Sequence, residues 1–326
     1  MNRYLLFRTD RIGDFLLSAV LIKSIKRNDS NSYIIVVGSE KNYNYIKTLK
    51  LIDEVILYPS SFVEKISFFK NVFLKRFKSK IALDGKKRSI FGCIFGKANY
   101  KFLLITKIFY KKFLKKVFSK IIHKDDFTAK ILEIESILSE MGYDLELKDY
   151  DIFEYEKNFS ITKKNNSGIL LHFDEKWIFN DYIKKYNSIE PSYDEFYKFI
   201  CDIVEKSQKN LHISSGTKDN KILEKLRSVM FLNKDFYWKE YKSHKIFLYF
   251  NSSFIELKEL IYNNSKIICC HGAPTHVASA FNKEIIDIYD KSEELFYKKW
   301  SSHFRNYNFL YRTNFKELSK NIIDLL

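Results

Sequence analysis

Short runs rich in Ile, Val, Leu and Phe alternate with helical patterns along most of this chain, and few folds accept that order. In the first half the runs are Tyr4-Leu5-Leu6-Phe7, Tyr33-Ile34-Ile35-Val36-Val37-Gly38, residues 52–58 and residues 80–85, with helical periodicity over 43–51 and 62–77. In the second half they are Ile169-Leu170-Leu171-His172-Phe173, residues 211–216, residues 245–250, Ile267-Ile268-Cys269-Cys270 and residues 284–289, the last closing the sheet. Helical stretches fall between them, and a helix over 314–326 ends the chain. Strand, helix, strand is the βαβ unit, so the class is α/β with doubly wound parallel sheets. A length of 326 residues accommodates two such domains. The polar stretch 148–167, ending in Lys163-Lys164-Asn165-Asn166-Ser167-Gly168, marks the boundary. The domains are therefore expected over 1–160 and 161–326, facing each other across a cleft, with the final helix a candidate to pack back on the first.

In open α/β sheets, ligands bind in the crevice beyond the carboxyl ends of the strands. The first such end is Arg8-Thr9-Asp10-Arg11-Ile12-Gly13-Asp14, between the first apolar run and the helix that starts with Phe15 and turns basic at Lys23, Lys26 and Arg27. Gly13 is expected to permit a close turn. Asp14 then falls at the helix start, with Arg8, Asp10 and Arg11 around it. An aspartate there also suits an N-cap, accepting from first-turn amides at the positive end of the helix dipole; one carboxylate can hold both roles.

The formal net charge of +16 implies a polyanionic neighbour: nucleic acid, anionic lipid or a phosphorylated substrate. Much of that charge lies between Phe62 and Lys120, where the acids are Glu64 and Asp84 and aromatics are threaded among lysines. Within it, residues 109–118 set apolar side chains at helical spacing against lysines, the pattern of an interfacial amphipathic helix or of a solvated face over a core. Basic residues interleaved with aromatics also suit single-stranded nucleic acid, but no nucleic-acid module is recognisable and none is expected as a partner. The amino-terminal apolar run is too short for a signal peptide, and no run approaches the roughly twenty residues that span a bilayer. A cytoplasmic protein, peripheral on the inner face of a bacterial inner membrane, is the expectation.

Two further loops carry chemistry. His271-Gly272-Ala273-Pro274-Thr275-His276 follows a buried strand, and its small residues let amides at a helix start approach an anion such as a diphosphate. Pro274 suits a first helical turn, and His276 would donate to a phosphate or serve packing. His172-Phe173-Asp174-Glu175-Lys176-Trp177 ends another strand; Lys176 either neutralises phosphate or is a surface lysine beside a buried tryptophan. Gly216 ends the next strand, and Asp219 beyond it could accept from a ribose hydroxyl. Cys93, Cys201, Cys269 and Cys270 show no disulfide framework. Cys269, Cys270 and His271 are consecutive and point to alternating faces, a poor metal-ligand set, so no metal is expected.

Together these loops resemble glycosyltransferase family 9, the ADP-heptose:lipopolysaccharide heptosyltransferases. The likeness runs over most of the chain: residues 8–14, Asp53-Glu54-Val55-Ile56, Ile81-Ala82-Leu83-Asp84-Gly85 with Arg88-Ser89, Lys176-Trp177, residues 213–216, and Ala273-Pro274-Thr275-His276-Val277-Ala278. The resemblance implies a GT-B fold of two Rossmann-like domains and an inverting single displacement without metal or cofactor, the nucleotide sugar being a substrate. It implies Asp14 as general base, with Arg8, Asp10, Arg11 and Gly13 on the acceptor side. Lys176, His271, Gly272, Ala273, Pro274, Thr275, His276, Gly216 and Asp219 would bind the donor. The partners implied are a nucleotide sugar and a lipid-linked or phosphorylated saccharide acceptor, and by its own composition the basic, aromatic 62–120 arm would rest on an anionic membrane surface or a phosphorylated acceptor. The family usually reads Asp-Ser/Thr-Gly where this chain has His271-Gly272-Ala273. A catalytically inactive scaffold that keeps the fold is the alternative this departure raises, and a nucleic-acid-binding protein is a further one.

Overall fold

A computed structural model describes residues 1–105, 111–123, 128–153, 168–178, 186–216 and 220–326. The expected boundary at 163–168, save Gly168, and Asp219 lie outside those residues. The chain divides into two compact units, Met1–Phe159 with Lys298–His303, and Ser160–Tyr297 with Phe304–Leu326.

The first unit runs β1 (Asn2–Phe7), α1 (Ile12–Asn28), β2 (Ser32–Gly38), α2 (Tyr43–Lys47), β3 (Glu54–Leu57), α3 (Phe62–Leu74), β4 (Phe77–Ala82), α4 (Lys87–Ile94), β5 (Ala98–Ile105), α5 (Lys111–Leu114), β6 (Lys120–His123) and α6 (Lys130–Glu140). Its six strands are parallel in the order β3-β2-β1-β4-β5-β6. The order reverses at β1, which pairs with β2 on one side and β4 on the other. Leu5, Phe7, Ile35, Val37, Phe77 and Leu103 form one core with Phe68 and Val72 of α3. The basic end of α1 binds the unit's own carboxyl-terminal segment. Arg27 meets Asp144, Glu146 and the buried Asp149 at 2.9, 2.7 and 3.0 Å, and Lys23 donates to the carbonyls of Lys148 and Asp151.

The second unit repeats the plan: β7 (Gly168–Phe173), α7 (Glu175–Ile178), α8 (Tyr193–Ser207), β8 (Leu211–Ser215), α9 (Lys221–Arg227), β9 (Phe231–Asn233), β10 (Phe236–Tyr241), β11 (His244–Tyr249), α10 (Phe254–Asn263), β12 (Asn264–Cys270), α11 (Ala273–Ala280), β13 (Glu284–Tyr289), α12 (Glu294–Ser301, its last residues counted with the first unit), β14 (Tyr307–Tyr311) and α13 (Phe315–Asp324). The sheet order is β14-β13-β12-β7-β8-β11-β10-β9. Its parallel part, β11-β8-β7-β12-β13-β14, is the first sheet's order again, with the reversal now between β7 and β12. The antiparallel ribbon β9–β10 extends the β11 edge. Phe173, Trp177, Phe196, Phe199 and Ile213 centre the core.

Several expectations are corrected. Tyr289 does not close the second sheet, because β14 lies beyond β13. The last helix belongs to the second unit, where Phe315, Leu318 and Ile322 join the core, with Phe315 edge-on to Phe199 at 5.5 Å. Gly13 makes no turn. It is the second residue of α1, and the glycines with left-handed backbone are Gly85, Gly96 and Gly142. The pattern over 109–118 is, among the described residues, one helical turn at Lys111–Leu114, and Leu114 and Phe118 are buried in the first core with Val117 against it.

Candidate functional site

Each unit has one place where strand order reverses, and the loops leaving the two strands on either side of it are forced apart. In the first unit these are the β1–α1 and β4–α4 loops. Arg8 is buried, donating to the carbonyl of Leu83 at 2.8 Å and, through Nε and Nη2, to the carbonyl of Asp14 at 3.0 and 2.8 Å. Asp84 Oδ2 accepts from Thr9 N, Thr9 Oγ1 and Ser89 Oγ at 3.1, 2.5 and 2.9 Å. Arg88 and Lys86 return to the Thr9 carbonyl at 3.1 and 2.9 Å. The two loops are thus strapped together by charge-assisted bonds before any ligand arrives.

Asp14 is the third residue of α1; the N-cap is Arg11, whose amide donates to Asp14 Oδ2 at 3.3 Å. Asp14 is therefore not the N-cap expected from the sequence but its capping-box partner: one oxygen accepts from the N-cap amide, while the side chain stays a quarter exposed with Oδ1 3.9 Å from Arg8 Nη2. Asp10 lies 3.2 Å from Arg8 Nε. Burial pushes the Asp10 carboxyl above its ordinary range; Arg8 opposes this, and the carboxylates of Asp14 and Asp84 add to it. Asp10, Arg11 and Asp14 line a hollow of about 670 Å³ with Lys41, Lys65, Lys86, Arg88 and Tyr58. Its five cations (Arg11, Lys41, Lys65, Lys86, Arg88) exceed its three acids (Asp10, Asp14, Glu40), so it suits an anionic guest.

In the second unit the loops are β7–α7 and β12–α11. Lys176 Nζ donates to the His271 carbonyl at 3.0 Å and lies 3.4 Å from Asp174 Oδ2, which joins the loops. A Cβ on Gly272 would stand 2.5 Å from that ammonium, so the glycine admits the lysine. Thr275 Oγ1 closes the turn by donating to the Gly272 carbonyl at 2.6 Å, and Pro274 occupies the first turn of α11. The outcome is an ammonium beside a helix amino-terminus, which together attract phosphate. Gly216 serves the same junction from β8, since a Cβ there would come within 3.0 Å of the Asp174 Cβ.

His271 Nδ1 is 2.5 Å from Oδ2 of Asp287, a fully buried carboxylate that also accepts from Tyr307 at 2.9 Å. His276 is buried rather than displayed, with its ring edge-on to His271 at 5.7 Å and to Phe304 at 5.2 Å. His172, wholly buried, bonds Ser214 Oγ at 2.9 Å, and burial holds its imidazole below the ordinary range. Among the described residues no group of three His, Cys, Asp or Glu is arranged to hold a metal ion.

Sequence reasoning gave no site role to Asp84, Arg88, Asp287 or Arg312. Arg312, buried at the end of β14, donates to the carbonyls of Lys176 at 2.9 Å and Asn187 at 3.1 Å, fixing the backbone that carries Lys176. Asp287 had a signal, an acid inside Ile285-Ile286-Asp287-Ile288 that is costly to bury without partners. Arg312 had none, because the strand before it was not read.

No protein-family model matches the sequence, and no curated protein resembles it at a significant level. Solved structures do resemble the fold. The E. coli heptosyltransferase WaaC with ADP aligns at TM-score 0.68 and 11% identity, over 99% of this chain and 100% of that one. A glycosyl transferase family 9 protein from Veillonella parvula aligns at 0.63 and 13%, over 98% and 89%. The E. coli ADP-heptose lps heptosyltransferase II aligns at 0.61 and 11%, over 100% and 99%. At such identities the likeness is one of fold, and the fold is the two-domain GT-B architecture.

Proposed function

We propose that this chain is a glycosyltransferase that moves a sugar from a nucleoside diphosphate donor to a saccharide acceptor. The observation that supports it most is the coincidence of two built loop pairs with the two strand-order reversals, one offering a carboxylate and the other an ammonium at a helix start. Asp14 would take the proton from the acceptor hydroxyl as that oxygen bonds to the anomeric carbon. The bond from that carbon to the diphosphate breaks in the same step, so the anomeric configuration inverts. Lys176 and the start of α11 would stabilise the charge that develops on the leaving diphosphate. Arg8 would orient Asp14 through its main chain, and the cations of the first hollow would hold phosphate groups on the acceptor.

Heptose from ADP-heptose is the first donor to try, since the structures of similar fold include one solved with ADP and one with ADP-2-deoxy-2-fluoro heptose. The acceptor class is a lipopolysaccharide core or another surface glycan, lipid-linked or phosphorylated, met by a protein peripheral to the inner face of a bacterial inner membrane. No metal or cofactor is assigned to the reaction. The test is product formation from ADP-, UDP-, GDP- and CMP-sugars with core-saccharide acceptors, followed by mass spectrometry. Asp14→Asn is expected to reduce transfer by roughly a hundredfold or more while nucleotide affinity stays unchanged. Full transfer by that variant would reject the base assignment, and the absence of transfer from every donor would favour a scaffold.

A further inference from the structure

Helix α3 is built inside out. It buries only Phe68 and Val72, whereas Phe62, Val63, Phe73 and Leu74 are 77%, 76%, 60% and 69% exposed and Ile66 is exposed as well. A surface helix normally turns its apolar stripe inward and its charges outward. The apolar outward face continues onto α4: Phe69 lies 6.2 Å from Phe95, which stacks with Phe91 at 6.4 Å, and both Phe91 and Phe95 are exposed. Exposed cations belong to the same two helices and their flanking turns, namely Lys70, Lys75, Arg76, Lys87 and Lys97. Of the acids of the stretch, Asp84 holds Thr9 and Ser89, and Glu64 is exposed, accepting from the amide of Ser61 at 3.3 Å.

We propose that the exposed face of α3 and α4 seats on an anionic phospholipid bilayer, with its phenylalanines at the boundary between headgroups and acyl chains. A patch of bare phenylalanine fringed by these five exposed cations against one exposed carboxylate, Glu64, matches such a surface in both polarity and charge. Among the described residues no helix is long and apolar enough to cross a membrane, so contact is by lying on it. The same helix begins at the rim of the hollow beside Asp14, whose lining includes Tyr58, Pro59, Ser60 and Lys65. Seating α3 therefore brings that rim to headgroup level, and, on the acceptor reading above, the acceptor is a saccharide whose lipid stays in the bilayer.

The experiment is flotation of the full chain with vesicles of phosphatidylcholine, with and without phosphatidylglycerol. Binding is expected only when phosphatidylglycerol is present, and it should weaken as salt screens the lysines. The triple variant Phe62→Ser, Ile66→Ser, Phe73→Ser is expected to lose roughly tenfold or more in partitioning. A melting temperature within a few degrees of the parent would show that it folds. As a direct readout, Phe62→Trp should be quenched by brominated lipid above the background of the native tryptophans. No flotation of the parent chain overturns the proposal and leaves sugar transfer, which is tested in solution, standing. Equal flotation of the parent and the triple variant overturns the assignment to this face. A parent that is dimeric without vesicles and a variant that is monomeric would show a second copy of the chain as the occupant and also overturn it.

Discussion

At the level of single residues, the first loop pair depends on a turn that only one residue type makes cheaply. Gly85 follows β4 with φ of +67°, and a Cβ there would stand 2.7 Å from the carbonyl oxygen of Leu104. The left-handed conformation costs a side-chain-bearing residue about 1–2 kcal/mol, and the backbone contact cannot be relieved by a rotamer change. Gly85→Ala is expected to lower the melting temperature by several degrees and to loosen the grip of Asp84 on Thr9, as scanning calorimetry would record. An unchanged melting temperature would show that the β4–α4 turn relaxes freely. The residues of this loop differ in how far the sequence revealed them. Arg8, Asp10 and Asp14 were legible as candidates because they lie between an apolar run and a helical pattern, although the turn expected at Gly13 is not there. The role of Asp84 was not, because its partner Thr9 is distant in sequence and is brought near only by the pairing of β1 with β4.

Among elements, strands with uninterrupted apolar sequence were legible and strands interleaved with lysine were not. β1, β2, β7, β12 and β13 are covered on both faces and read as solid hydrophobic runs. β5 and β6 contain Lys101 and Lys120, and neither run declares itself against the basic arm around it. Lys101 reaches the carbonyl of Ile94 at 2.7 Å, so its charge is satisfied inside the unit rather than offered to a partner. β9 is exposed, β10 carries Phe236, Tyr237 and Trp238 in succession beside it on an antiparallel edge, and β14 is a tyrosine-rich edge strand; none has the buried signature. The basic arm illustrates the same limit. Its pattern over 109–118 left open an interfacial helix and a lysine face over a core; packing draws Leu114, Val117 and Phe118 inward, as the second reading has it, and the outward apolar face lies on α3.

For the whole molecule, buried histidines set the acid response. Burial holds His212 and His303 down to about 4, from an ordinary 6.5, and lowers His172 as well. The unfolded chain therefore binds protons at these sites before the folded one does. Their contribution to stability is complete above about 6.5 and is lost as the pH falls towards about 4. Carboxylates held below their ordinary range, such as Asp29 and Asp290, add a loss only at lower pH. The melting temperature is expected to decline steadily between pH 6.5 and 4, less so in His212→Phe, whose ring can keep the stack on Phe247. A flat profile across that window would remove the histidines from the account. The doubly wound plan of the two units was legible, since alternating strands and helices announce it, while the strand order, and with it which loops meet, was not.

The β7–α7 and β12–α11 loops are proposed to form a nucleoside diphosphate site, with Lys176 as its cation. Calorimetric titration of ADP, and then of UDP, GDP and CDP, into the parent chain and Lys176→Ala tests it most directly. At least one of these is expected to bind, and Lys176→Ala to weaken that binding by roughly tenfold to a hundredfold, the worth of a charge-assisted hydrogen bond. No heat from any nucleoside diphosphate, or equal affinity in the variant, would contradict it.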